Sequence, residues 1–530
     1  MRNFEIPGRS LAYGRGGMAA TSHPVSTLTA IEIMKAGGNA MDAAIAACAV
    51  QSVVEAGSTG IGGDCFALFA RAGDARPIAY NGSGRTPAAA EAAWYVRQGI
   101  RSIDRQSPHA VTVSGAVEAW ATLARDHGRL PLFEILAPAV EIARRGYVLT
   151  PRVAFDLANQ VALLEADIGC RETFLVSGDA PKAGSVQRQE RLADTLELIG
   201  REGARAFYEG EVGAALASFL ADKGGVHTRA DFAAAKGEYT DPIAVDYRGR
   251  TVYECGPNGQ GIIALMIMKM LSRFKRSGSP RGIDNLYIEV EATRLAYAAR
   301  DQLLADPAIA TVPVDYMLSD ELATSLAARI DLSKAIAEMP LLSGAEHSDT
   351  VYICTVDKDR NAVSFINSLF HPYGAGLMEP TSGVLFHNRA QSFVVEPGHR
   401  NCIAPRKRPM HTIIPGMVYE GDRPSMVFGV MGGHYQAMGH AYFLTRLFDH
   451  GLDLQSAMDE PRLFPLPGSS AVEAEESLRS VIADAFINRG LTVQPPRWPI
   501  GGAQAIGIDW QGGVLVGASD HRKDGCALGY

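Results

Sequence analysis

The sequence predicts a layered α/β fold, and two observations carry that expectation. An alanine-rich helical texture dominates up to about residue 330, whereas short alternating apolar strands dominate after residue 349. A helix-rich stretch and a strand-rich stretch that must share one core imply stacked layers. The 530 residues, 47% hydrophobic and 20% charged, suffice to bury such a core. A division into 1–349 and 350–530 follows the change of texture, although the length alone would favour ~3 or more domains.

Residues 25–56 read as helices broken by Gly37-Gly38-Asn39, with Ile31, Met34, Ala40, Ala43, Ala44 and Ala47 at helical spacing. Gly57–Asp64 forms a glycine-rich turn feeding a strand at Cys65–Phe69. Gly128–Thr150 predicts another helix, with Gly146 as its cap. Residues 190–225 and 284–330 are again mainly helical. The block 333–349 is polar and loop-like, which suits a cleavable segment. Strands are expected at Val351–Val356, Ala362–Phe365, Gly383–Phe386, Thr412–Met417, Met426–Met431 and between Ala505 and Gly517. Helices return at about 435–450 and 475–489.

A net charge of −8 leaves no basic stripe, so nucleic acid is not an expected partner. The apolar stretches Ala43–Val50 and Gly261–Leu271 are too short for a bilayer, so no membrane partner is expected either. Glu5, Pro7 and Arg9 interrupt the N-terminus before an apolar signal region can form. Seven scattered cysteines without CxxC spacing fit a reduced, cytoplasmic protein. No HExxH or His/Cys cluster predicts a metal, and no cofactor is expected. There is no Gly-x-Ser-x-Gly elbow. Gly14-Arg-Gly-Gly-Met-Ala19 lacks the preceding apolar strand that a dinucleotide site needs.

Chemistry centres on Thr350. Val351–Val356 alternates as a strand, Lys358–Asn361 reads as a turn, and Ala362 starts the return. A tight hairpin would place Thr350 roughly opposite Leu369 with Ser368 adjacent. Two hydroxyls would then lie within hydrogen-bond reach, one nucleophilic and one orienting it. Taken alone, the stretch fits an ordinary hairpin better. Gly429-Val-Met-Gly432-Gly433-His434 ends a strand before a helix and could aim backbone N–H groups at an oxyanion, or could be a simple glycine turn.

Ordered blocks along nearly the whole chain make it resemble the γ-glutamyltranspeptidase family. They are Met18-Ala-Ala-Thr-Ser-His-Pro, Gly37-Gly-Asn-Ala-Met-Asp-Ala-Ala, Gly60-Ile-Gly-Gly, Gly82-Ser-Gly-Arg85-Thr-Pro, Thr350 with Asn361-Ala-Val-Ser, Lys407-Arg-Pro, Met431-Gly-Gly, and Gly517-Ala-Ser-Asp520 with Gly529-Tyr530. The resemblance implies an αββα sandwich of N-terminal nucleophile (Ntn) hydrolases and self-cleavage between Asp349 and Thr350. It further implies a heterodimer of residues 1–349 and 350–530, either alone or as a dimer of these units. By the same resemblance Thr350 is the nucleophile, Ser368 its hydroxyl partner, Gly432 and Gly433 the oxyanion hole, and Arg85 a ligand for a substrate carboxylate.

Departures from the family pattern bear on substrate. Where the family cages an α-ammonium with Asn, Gln and Asp, this chain aligns Phe370, Arg389 and Ser392, and His411 replaces a carboxylate-binding serine. An ammonium 4 Å from Arg389 would be repelled by on the order of 4 kcal/mol at an effective dielectric of 20. Arginine instead invites carboxylate. The expected substrate is therefore a small anionic amide without an α-amino group. Phe370-His371-Pro-Tyr-Gly374, Asn388-Arg389 and Met410-His411-Thr412 resemble the subgroup of oxamate amidohydrolases and cephalosporin-acylase-like members. A genuine γ-glutamyltransferase, a glutaryl or cephalosporin acylase, and an uncleaved small-anion-binding relative are the alternatives. Arg360 stands where the family's turn commonly has glycine; a positive φ there would cost ~1 kcal/mol.

Overall fold

A computed structural model describes Glu5 and residues 8–276, 278–337 and 350–530. Fourteen strands form two antiparallel seven-stranded sheets. In chain order they are β1 (Ala12–Gly14), β2 (Met18–Thr21), β3 (Asp64–Ala70), β4 (Ile78–Gly82), β5 (Glu238–Thr240), β6 (Ile243–Tyr247), β7 (Arg250–Glu254), β8 (Val351–Val356), β9 (Ala362–Ser368), β10 (Gly416–Glu420), β11 (Arg423–Met431), β12 (Gly502–Asp509), β13 (Val514–Ser519) and β14 (Cys526–Gly529). One sheet runs β1-β13-β12-β11-β10-β7-β6, the other β14-β2-β8-β9-β3-β4-β5.

Period-two alternation along the strands builds the layers. Tyr352, Cys354, Ile366, Phe66 and Leu68 meet Met417, Val427 and Ile506 of the other sheet in an inter-sheet core. Their neighbours Val351, Ile353, Val363, Phe365, Cys65 and Ala67 face outward onto helices α1 (Pro24–Lys35), α2 (Ala40–Val54), α3 (Ala116–His127), α4 (Leu132–Arg145) and α5 (Glu190–Glu202). On the opposite sheet Val252, Val418, Phe428 and Val430 pack on α6 (Gly261–Leu271), α7 (Ile283–Leu303) and α8 (Tyr435–Phe448). The result is a helix–sheet–sheet–helix sandwich. Seven of these fourteen strands precede Thr350 and seven follow it, and each sheet draws on both sides of it.

Every residue of α2 is buried, which its run of alanines permits. Asn39 caps it by accepting from the Met41 and Asp42 N–H groups, so the Gly-Gly-Asn break is a helix stop followed by a helix start. The turn after β8 is tied to this cap: Asp357 accepts from the Ala40 N–H at 3.0 Å. Gly146 ends α4 at φ +100, and the helix expected over 128–150 is confined to 132–145.

Two strand expectations shrink. Only Val384–Leu385 of the 383–386 stretch is a strand, paired with Met378–Glu379. The strand expected from Thr412 begins at Gly416. The backbone before it is satisfied elsewhere, with the His411 N–H donating to the Asn258 carbonyl and the Ile414 N–H to the Gln436 side chain. The strands of β1, β2, β4 to β7 and β14 were not legible, being short or interrupted by polar residues. Among the described residues, no helix is long and apolar enough to cross a membrane. The seven cysteines are unpaired.

Candidate active site

The β8–β9 hairpin sets the geometry. Its register pairs Val351 with Asn367 and Val356 with Ala362, so Thr350 faces Ser368 rather than the expected Leu369. The difference is one residue, and it arises in the turn. Asp357 and Asn361 close a loop of Lys358, Asp359 and Arg360, and Arg360 takes φ +65 to complete it. A register one residue off would have turned Ser368 to the other face. As built, the Thr350 and Ser368 hydroxyls lie 3.1 Å apart, both residues fully buried. On the other side of β9, Ser368 pairs with Asp64 of β3. Thr350, Ser368 and Asp64 therefore form one row across three strands, at the inter-sheet end of the sandwich.

The opposite sheet supplies the rest. Where β11 ends, Gly432 and Gly433 adopt φ +119 and +56, and a Cβ on Gly432 would sit 2.9 Å from the Gly501 Cα. Only glycine suits that position. Their carbonyls accept from the Tyr435 and Gln436 N–H groups at the start of α8, while their own N–H groups donate to no group among the described residues. Gln436, in the first turn of α8, donates to the Thr350 hydroxyl at 3.4 Å.

Ser368 Oγ accepts from the Phe370 N–H at 2.8 Å and from Arg389 Nη2 at 3.4 Å. Arg389 Nη1 donates to Thr412 Oγ1 at 2.8 Å, and the guanidinium stacks 4.2 Å over the Phe370 ring. Arg389 is fully buried, its Nε has no hydrogen-bond partner, and no carboxylate pairs with it among the described residues. Burial pushes its pKa down to about 9, with Asp64 opposing, so it stays cationic at neutral pH. Phe370 sits at φ +79, unusual for a bulky residue, and stacks on His371 at 4.4 Å. Asn388 fixes this loop by accepting from the His371 N–H at 3.0 Å. Burial, then Arg105 and Arg389, lower His371 to about 3, so the ring is neutral.

The remaining candidates have partners of their own within the protein or lie buried. His411 spends both ring nitrogens on the protein: Nε2 donates to Asp64 at 3.0 Å and Nδ1 accepts from the Ile413 N–H. It is left with no atom for a substrate and acts behind the site. Arg85 is partly exposed; its guanidinium bonds to Asp306 at 3.3 Å and the Arg406 carbonyl, with Glu238 at 3.9 Å. None of these partners touches Thr350, Ser368 or Arg389. The Ser392 hydroxyl is buried and without a hydrogen-bond partner among the described residues. Asp349 lies outside the described residues. Two residues of the site, Asp64 and Gln436, do not stand out in the sequence. Asp64 directly follows the singled-out Gly60-Ile-Gly-Gly block, and Gln436 occupies the helix start after the paired glycines. Among the described residues no cluster of metal-ligating side chains occurs.

Comparison with known proteins gives the family. Residues 26–530 match Gamma-glutamyltranspeptidase. The chain belongs to the γ-glutamyltranspeptidase family. Among its relatives, the glutathione hydrolase-like YwrD proenzyme of Bacillus subtilis is 33% identical, covering 97% of this chain and 99% of that protein. The oxamate amidohydrolase proenzyme of Klebsiella pneumoniae is 34% identical, over 97% and 98%. A solved cephalosporin acylase from Bacillus halodurans superposes with a TM-score of 0.93 at 35% identity, covering 100% of this chain and 99% of that one. The sandwich is thus an Ntn-hydrolase fold, and the protein is an amide-bond hydrolase of the γ-glutamyltranspeptidase family.

Proposed function

We propose that the chain cleaves itself between Asp349 and Thr350 and then hydrolyses a small anionic amide that lacks an α-amino group, of the oxamate type. The fragments 1–349 and 350–530 stay together because each sheet is built from both. In the precursor the Thr350 hydroxyl attacks the preceding carbonyl, and an N→O shift followed by hydrolysis frees the Thr350 amine. That amine, with an ordinary pKa near ~7.7–8.0, accepts the hydroxyl proton as Thr350 attacks the substrate amide. Ser368 and Gln436 orient the hydroxyl, and the Gly432 and Gly433 N–H groups hold the oxyanion. Ammonia or an amine departs with the proton, and water hydrolyses the acyl-Thr350 ester.

The observation that carries the substrate reading is Arg389: buried, cationic, unpaired by any carboxylate among the described residues, and with Nε unused. Such a group favours a substrate carboxylate and disfavours an α-ammonium. A glutaryl or cephalosporin acylase remains the second reading, because a glutaryl group also carries a carboxylate without an α-amine and the superposed acylase is 35% identical. Initial rates on oxamate, a glutaryl amide and a γ-glutamyl anilide separate the readings. Oxamate is expected to be the best of the three, and a clear preference for the γ-glutamyl compound would refute the assignment.

A further inference from the structure

Arg389 poses a problem that the reaction does not explain. A lone guanidinium in a dry interior is costly, yet a carboxylate bonded to it would close the edge a substrate needs. Asp64 resolves this. It is fully buried in the same row as Ser368, and both its oxygens are committed. Oδ1 accepts from the Gly84 and Gly115 N–H groups at 2.9 and 3.1 Å, and Oδ2 accepts from His411 Nε2 at 3.0 Å, with His387 Nδ1 at 3.9 Å. So anchored, the carboxylate is not free to swing onto the arginine. The spacer between them is equally fixed: Arg389 bonds to Thr412, the residue after His411, and to Ser368, the cross-strand neighbour of Asp64.

We propose that Asp64 is the internal counter-ion of Arg389, a positioning residue that offsets the buried charge from a fixed distance and leaves the guanidinium edge open to an incoming carboxylate. Only that last clause rests on the substrate reading above. The electrostatics agree with the geometry. Burial works to raise the Asp64 carboxyl, but the His387 and His411 rings and Arg389 hold it down to about 2. Asp64 in turn opposes the effect of burial on Arg389. A merely structural role, tying Gly84 and Gly115 to β3, would use the same hydrogen bonds but would not sense the charge of Arg389.

The test uses the full chain carrying Asp64→Asn, Arg389→Met or both, with thermal unfolding and calorimetric titration of oxalate, which presents carboxylate but has no amide to cleave. Each single variant should lose stability, and the double variant should regain at least half of the loss seen in Asp64→Asn. Oxalate should bind Asp64→Asn at least tenfold more tightly than the parent, because the ligand becomes the only anion beside Arg389. Additive losses in the double variant, or oxalate binding that is unchanged or weaker in Asp64→Asn, would overturn the proposal. Should Asp64→Asn not fold, Arg389→Met alone decides. Asp64 would then keep the Gly84 and Gly115 N–H groups and the His387 and His411 rings but no fixed cation, so its carboxyl would rise and the stability gap to the parent would narrow from pH 7 toward pH 4. Parallel curves would refute the counter-ion. Failure of the substrate reading shows separately, as absence of oxamate hydrolysis with the Asp64–Arg389 coupling intact.

Discussion

Replacing Arg389 with lysine keeps the positive charge and removes the planar fork. The guanidinium makes three contacts at once: Thr412 Oγ1 at 2.8 Å, Ser368 Oγ at 3.4 Å and the Phe370 ring at 4.2 Å. An ammonium cannot reproduce that set with a donor left for substrate. Loss of one charge-assisted hydrogen bond to a substrate carboxylate is worth about 1.5–3 kcal/mol, which corresponds to roughly 10- to 150-fold in kcat/KM. The stack on Phe370, with both groups buried, adds about 2 kcal/mol to stability. The assay is steady-state hydrolysis of oxamate by the parent, Arg389→Lys and Arg389→Met, with KM and kcat resolved. The loss should fall mainly on KM for Arg389→Lys and be larger for Arg389→Met. Equal activity of parent and Arg389→Lys would refute the argument that the fork, and not just the charge, recognises the substrate.

Two further outcomes are expected. Changing Phe370 to Asn and Ser392 to Asp together should raise turnover of a γ-glutamyl anilide, since Asn relaxes the φ of +79 and the new carboxylate can receive an ammonium; unchanged rates in a discontinuous product assay would count against the pocket. Stability should also fall as acid is added. Burial holds His371 and His411 at about 3 and His23 and His227 at about 4, so the unfolded chain takes up protons near pH 6.5 that the folded chain refuses. Stability is therefore lost as pH falls below 6.5, each histidine contributing about 2 kcal/mol between pH 7 and 5. Urea midpoints that stay flat over that range would contradict the assignment of neutral buried imidazoles.

Much of the architecture was legible because the long elements carry strong periodic signals. Val351–Val356 was bounded as found, and the Gly37-Gly38-Asn39 break located both α1 and α2. The sequence raises a positive φ at Arg360 only as a condition; the residue adopts it, completes a three-residue loop and moves the hairpin register by one. Register depends on turn conformation, which a side-chain pattern does not encode. Short strands such as Ala12–Gly14 and Glu238–Thr240 are stabilised by tertiary pairing rather than by local propensity. The candidate site was legible where residue type dictates placement, with Ser368 beside Thr350 and a positive-φ turn at Gly432 and Gly433. It was obscure where placement decides. Arg85 is held by Asp306, and His411 is turned onto Asp64; both facts come from partners more than two hundred residues away in sequence.

The central claim is that Thr350 becomes an N-terminal nucleophile by cutting its own chain. Intact-mass measurement with N-terminal sequencing of the freshly purified active protein, beside Thr350→Ala, tests it directly. The expected result is two fragments meeting at 349/350 in the parent, one beginning with Thr350, and a single inactive chain in the variant. An active parent that remains one unbroken chain, or a Thr350→Ala variant with full activity, would contradict it.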